Sequence, residues 1–179
     1  MQRMIFLAIS ALILASCAEG PEGFGPPPPT AYEPAPSGAV AFDSRDFAWS
    51  TTPGTSSISG TFAYRQGGGH YSCQGGDVLL TPETAWSRRR MIILYGSAIA
   101  AAAPVSIVRA RTPSAGTGDY ARFVRRTTCD AANHFSFHDL PDGAWFVITL
   151  GKPVDRAGEP IAVTRRVETH GGGVSVTLS

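Results

Sequence analysis

The chain is predicted to fold as an all-β, antiparallel sandwich of roughly seven or eight strands. Three observations carry that prediction. Apolar residues recur with a period of two, turn residues punctuate the runs, and helix formers such as Lys, Glu and Gln are scarce beside Gly, Thr, Ser, Val and Phe. Val174, Val176 and Leu178 alternate with Ser175, Thr177 and Ser179. Phe135 and Phe137 alternate with His134, Ser136 and His138, and Phe146, Ile148 and Leu150 with Trp145, Val147 and Thr149. A strand sends successive side chains to opposite faces, so each run reads as a half-buried strand.

In chain order, further strands are expected at 57–65, 77–81, 105–111, 120–129 and 161–169. Turn signals separate them: Gly67-Gly68-Gly69, Pro141-Asp142-Gly143, Ala157-Gly158-Glu159-Pro160 and Gly171-Gly172-Gly173. Two stretches stay open. Residues 84–95 read either as a short helix or as a loop running into a strand, and the alanine-rich 97–104 as a loop, a helical turn or an insertion. Phe135, Phe137, Phe146 and Ile148 are expected to point between the two sheets, with His138 on the opposite face.

The amino terminus reads as a secretory signal, residues 1–16: Arg3, then the apolar run Met4–Ile9, then small residues. The run is too short to span a bilayer. Leu14-Ala15-Ser16-Cys17 resembles the lipobox of bacterial lipoproteins. That resemblance implies cleavage before Cys17, a diacylglycerol on its sulfur, and palmitate-type acylation of the new amine. The implied partner is a membrane, held through the lipid. Ala18 stands where an aspartate would retain such a protein in the inner membrane, which favours the outer membrane with the domain in the periplasm. Residues 17–37, with Gly-Pro-Glu-Gly-Phe-Gly-Pro-Pro-Pro-Pro and then Pro34 and Pro36, read as a tether. At about 3.1 Å per residue it would reach roughly 50–60 Å. Residues 38–179 form the domain.

Without residues 1–16 the chain has 14 basic and 14 acidic side chains, so no charge excess points to nucleic acid. Fourteen of its basic residues across the full length are arginine, and Lys152 is the single lysine. With Cys17 lipidated, Cys73 and Cys129 remain as a pair. In an oxidising compartment a pair favours a disulfide over two separate buried thiols.

One stretch has family content. Thr128-Cys129-Asp130-Ala131-Ala132-Asn133-His134-Phe135-Ser136-Phe137-His138-Asp139-Leu140-Pro141-Asp142-Gly143-Ala144-Trp145-Phe146-Val147 resembles the T-x-D-x-x-G-x-F-x-F-x-x-L-P-x-G-x-Y-x-V signature of carboxypeptidase regulatory-like domains. Gly76-Asp77-Val78-Leu79-Leu80-Thr81-Pro82 resembles their G-x-V-x-L-x-P strand. The resemblance implies a prealbumin-like Greek-key sandwich, related to Cna protein B-type repeats, and it also implies the Cys73 and Cys129 pair. Asn133 replaces the usual glycine, Trp145 the usual tyrosine, and the insertion at 84–118 is longer than in a minimal repeat.

Such domains perform no chemistry, and no catalytic residue is predicted here. H-x-x-E, H-E-x-x-H, G-x-S-x-G and P-loop patterns are absent, as is the terminal Tyr-Arg-Gly-Ser of hydroxyisourate hydrolase. No cofactor or metal is expected. His134 and His138 would lie about 13 Å apart on one strand face, and His70 and His170 flank glycine triplets in loops. Lys152 and Asn133 are the one lysine and one asparagine, the residue types of the isopeptide bond in some Cna B-type domains, but Asn133 falls in a turn. The arginines at 88–90, 125–126 and 165–166 read as a solvated face, with a phosphate-facing patch as the alternative. The expected function is a non-enzymatic envelope lipoprotein that binds a protein or glycan. The alternative is an enzyme, or an enzyme accessory, acting on a periplasmic carbohydrate or peptide.

Overall fold

A computed structural model describes residues 40–113, 118–155 and 157–179. The expected signal, Cys17 and the tether at 17–37 lie outside the described residues. The first element of the described residues is a 3₁₀ helix (Ser44–Thr51), followed by β1 (Ser56–Phe62), β2 (Arg65–Gln66), β3 (Gly69–Ser72) and β4 (Asp77–Pro82). Next come α1 (Ala85–Tyr95), β5 (Ala100–Pro104), α2 (Val105–Arg111) and a second 3₁₀ helix (Gly118–Phe123). Then follow β6 (Arg125–Thr128), β7 (His134–Leu140), β8 (Gly143–Pro153), β9 (Ile161–Thr169) and β10 (Gly173–Leu178).

Two sheets form the expected sandwich. The smaller has the order β10-β1-β7. In the larger, β8 pairs with β9 along one edge and with β4 and β3 along the other, β5 closes on β9, and β6 on β4. All these ladders are antiparallel except β1 with β10, which is parallel. The core between the sheets takes Ile58 and Phe62 from β1, Phe135 and Phe137 from β7, and Val176 and Leu178 from β10. Facing them are Val78 and Leu80 of β4, Trp145 and Val147 of β8, and Val163 and Val167 of β9.

The period-two pattern holds on β8, but its faces are exchanged relative to expectation. Trp145 and Val147 point between the sheets. Phe146 and Ile148 point the other way and pack with Met91, Ile92 and Ala98 beneath α1. β8 is buried on both faces, so alternation between two apolar sets does not say which faces the partner sheet.

The helix α1 resolves the open stretch at 84–95. Thr84 caps it: the Ser87 N–H donates to Thr84 Oγ1 at 3.2 Å, and the Thr84 N–H donates back to Ser87 Oγ at 2.8 Å. Gly96 ends it in the left-handed conformation, φ 88°, its N–H bonded to the Ile92 carbonyl. Residues 100–104 are strand rather than loop.

The expected strand at 105–111 is instead α2, and β5 explains why. The β5–β9 ladder ends at Pro104 opposite Ile161; the Val105 N–H still donates to the Pro160 carbonyl at 3.0 Å, but Pro160 has no N–H to return. The chain leaves the sheet and satisfies its backbone helically, with Glu159 Oε1 accepting from the Ser106 N–H at 2.6 Å. Of the expected strand 120–129, only 125–128 pairs with β4. Tyr120 and Phe123 join Phe42, Phe47 and Trp86 in an aromatic cluster, where Phe47 stacks on Phe123 at 5.0 Å. Those rings are committed to this cluster rather than to a sheet. With β2, β3 and β5 added, there are ten strands among the described residues rather than seven or eight.

The family-like turn has a specific backbone. Asn133 is left-handed at φ 63°, the conformation a glycine would supply. Asp139 is left-handed too, at φ 54°, and β1 and β7 shift register between Ser56 and Ile58. That bulge adds one residue, so Leu140 enters the core although it is three positions from Phe137.

Candidate functional site

The outer face of the larger sheet carries a groove where α1 stops short. On β4, Asp77 and Leu79 face outward because Val78 and Leu80 are taken by the core. Leu79 stands opposite Ile148 of β8 and opposite Arg126 of β6. Farther along β8, Leu150 and Lys152 continue the row, and Leu150 is 45% exposed. Tyr95, the last residue of α1, forms one wall. The turn Ser72–Gly76 forms the other. Together they enclose about 360 Å³, within the range of small-molecule clefts.

The turn wall is firmly held. Cys73 and Cys129 are joined in a disulfide with Cα atoms 5.7 Å apart. The Gly75 N–H donates to the Cys129 carbonyl, and the Cys129 N–H donates to the Gly76 carbonyl, both at 2.9 Å. Asn133 Oδ1 accepts from Ser72 Oγ at 2.7 Å and from the Cys73 N–H at 3.0 Å. The carboxamide of Asn133 is therefore engaged by the groove wall, not presented to Lys152.

The groove is amphipathic. Leu79, Ile148 and Leu150 make an apolar floor, Tyr95 offers an aromatic side, and Ser72, Gln74, Asp77, Arg126 and Lys152 supply polar groups. Arg126 Nη1 lies 3.6 Å from Asp77 Oδ2, with both side chains more than half exposed. Burial pushes the Tyr95 phenol up to about 12, with Tyr120 adding to the rise and Arg90 opposing it, so Tyr95 presents the groove with a neutral phenol.

The other candidates fall elsewhere. His134 lies 3.9 Å from Asp130, His170 lies 3.4 Å from Glu168, and His138 contacts Ser136 Oγ at 3.2 Å. His70 is on β3. No three His, Cys, Asp or Glu side chains converge as metal ligands among the described residues. Arg88 and Arg166 both pair with Glu83, and Arg166 also pairs with Glu168 at 2.6 Å. The Arg166 hydrogen bond holds the Glu168 carboxyl below its usual range. Arg125 donates to the carbonyls of Ser50 and Asp139 and sits over Trp145. These arginines act as separate structural ties.

Sequence reasoning missed the groove because it placed Phe146 and Ile148 inside and left 84–95 unassigned. One signal was present: Thr84-Ala85-Trp86-Ser87 can form a reciprocal cap, and Gly96 a stop, around an apolar segment.

No protein-family model and no curated protein matches the chain. Among solved structures it is similar to a Pseudomonas aeruginosa protein described as a "putative carbohydrate binding protein", with a TM-score of 0.55 and 19% sequence identity. The match covers 76% of this chain and 96% of that one. At that identity, what the two chains share is a fold.

Proposed function

We propose that the protein is a non-enzymatic envelope lipoprotein whose sandwich domain binds saccharide in the groove beside the Cys73–Cys129 disulfide. The observation that carries this reading is the groove's mixture of surfaces: an apolar floor of Leu79, Ile148 and Leu150, one aromatic wall at Tyr95, and a rim of hydrogen-bonding groups. A sugar ring has the same two characters, an apolar C–H face and a hydroxyl edge. The description of the Pseudomonas aeruginosa protein as a "putative carbohydrate binding protein" adds support of the same kind. Binding is preferred to hydrolysis because Asp77 is the one carboxylate lining the groove among the described residues, and Arg126 lies against it. Glycoside hydrolysis ordinarily uses two carboxylates.

The carboxypeptidase regulatory-like reading is supported by three details: the left-handed Asn133, the inward Phe135 and Phe137, and the bulge that admits Leu140. The anchor at Cys17, and with it placement in the outer membrane facing the periplasm, rests on the lipobox resemblance.

Two experiments test the two halves. The full chain, labelled with ¹⁵N, is titrated with a panel of neutral and acidic oligosaccharides. Shifts grouped at 72–79, 95, 126 and 148–152 are expected; a silent panel, or shifts grouped elsewhere, overturns the groove. For the anchor, Cys17→Ala should leave an unprocessed precursor without palmitate label. Labelling that survives the change defeats the lipoprotein reading.

A further inference from the structure

We infer that the groove selects an anionic saccharide, one bearing a carboxylate or a phosphate, and that Lys152 is the residue that reads the charge. This inference rests on the saccharide reading above and adds the ligand's chemical class.

Among the described residues, three charged side chains line the groove: Asp77, Arg126 and Lys152. Asp77 and Arg126 meet diagonally across the β4–β6 ladder, 3.6 Å apart, and largely offset one another. Lys152 is left over. It sits on β8 opposite Ser72 of β3, exposed at the groove's far end, with no ion-pair partner among the described residues. Among the described residues the groove therefore carries one positive charge in excess over a floor that is apolar. A ligand that lays its ring on Leu79 and Leu150 and carries a negative substituent would satisfy both features. A neutral sugar would satisfy only the first.

The placement of Lys152 follows from the chain. β8 presents Phe146, Ile148, Leu150 and Lys152 on one face by its period of two. The first two are covered by α1, and α1 ends at Tyr95, so Leu150 is exposed and Lys152 stands beyond it. The wall opposite Tyr95 is fixed by the disulfide and by Asn133. The distance between floor and charge is thus built into paired strands rather than into a loop.

Lys152 is also the only lysine in the chain. Reductive methylation with ¹³C-formaldehyde keeps its charge and gives one side-chain signal, separate from any free terminal amine. The full chain is titrated with an oligogalacturonate and with the same oligosaccharide after its carboxylates are reduced to alcohols. Glucose 6-phosphate and inorganic phosphate form a second pair of arms. The expected result is roughly tenfold tighter binding of the uronate than of its reduced form, about one decade of affinity. That gap should shrink with salt, move the Lys152 signal, vanish in Lys152→Gln and persist in Lys152→Arg. Preference for glucose 6-phosphate over the uronate would identify a sugar phosphate as the source of the charge, within the same inference. Equal binding of the uronate and its reduced form, unaffected by Lys152→Gln, overturns the inference and leaves the saccharide groove standing. Inorganic phosphate binding as well as glucose 6-phosphate overturns it too, since the ring would then contribute nothing. Absence of binding by every saccharide removes the underlying reading along with it.

Discussion

Phe135 lays its ring across Gly60, the residue directly opposite it in the β1–β7 ladder. A side chain at Gly60 would overlap the Phe135 ring itself, so the glycine is there to make room for the aromatic. Both are buried in the small sheet.

Gly60→Ala should therefore destabilise the domain, by about 1–3 kcal/mol, as overpacking of a core does. The loss should fall when Phe135→Leu is combined with it, because the two changes act on one space. Thermal melts of the single and double variants test this. Additive losses would mean that the ring and the glycine do not share that space.

Phe137→Ala should cost about 3–5 kcal/mol, and His138→Ala next to nothing, because one side chain is in the core and the other is exposed. Phe146→Ala should behave differently from both. Its ring lies under α1, so amide exchange in 85–95 should rise more than exchange in β1, β7 and β10. Uniform loosening of both sheets would place Phe146 in the central core after all.

Cys73 and Cys129 should resist alkylation in the native protein and yield to it only after reduction. The bridge spans a sequence separation of 56, so breaking it should remove about 4 kcal/mol on the chain-entropy model. The proposed saccharide binding should weaken as well, since the bridge holds one wall of the groove. Free thiols in the folded protein would contradict the structure directly.

Alkali should reveal Tyr95. Its folded-state value is raised to about 12 by burial, against about 10 for an unfolded tyrosine. A raised value favours the protonated form in the fold, so its contribution is complete below about pH 10 and is lost as pH climbs towards 12. Burial raises Tyr120 and Tyr64 as well, so ultraviolet titration should show a late-ionising group of tyrosines, and Tyr95→Phe should remove one tyrosine from it. A full complement of tyrosines ionising near pH 10 would show that Tyr95 is solvated.

The strands that alternate apolar with polar residues were legible from the chain. β9 falls at the expected 161–169, and β10 matches Val174, Val176 and Leu178. The inward set of β7 was legible for the same reason. β8 was legible as a strand but not in its facing, because α1 gives its outer residues a core of their own. α2 was read as a strand because Val105, Ile107 and Val108 are β-branched and seven residues are too few to fix a period. What the seven residues do not carry is their partner segment, where Pro160 returns no N–H to Val105 and Glu159 accepts from the Ser106 N–H. The groove required both missing pieces at once: the end of α1 and the outward face of β8.

The parallel pairing of β1 with β10 has a mechanical consequence. The first and last strands of the domain lie side by side and run the same way, joined over six paired positions from Ser57 with Gly173 to Phe62 with Leu178. Tension between the two ends of the domain pulls these strands lengthwise past one another, so the whole ladder must give way together. An antiparallel pair pulled from adjacent ends would open one bond at a time. Single-molecule pulling from the two ends should accordingly show one abrupt, high-force rupture, and a gradual low-force opening would contradict it. A domain clasped in this way can carry load along its length.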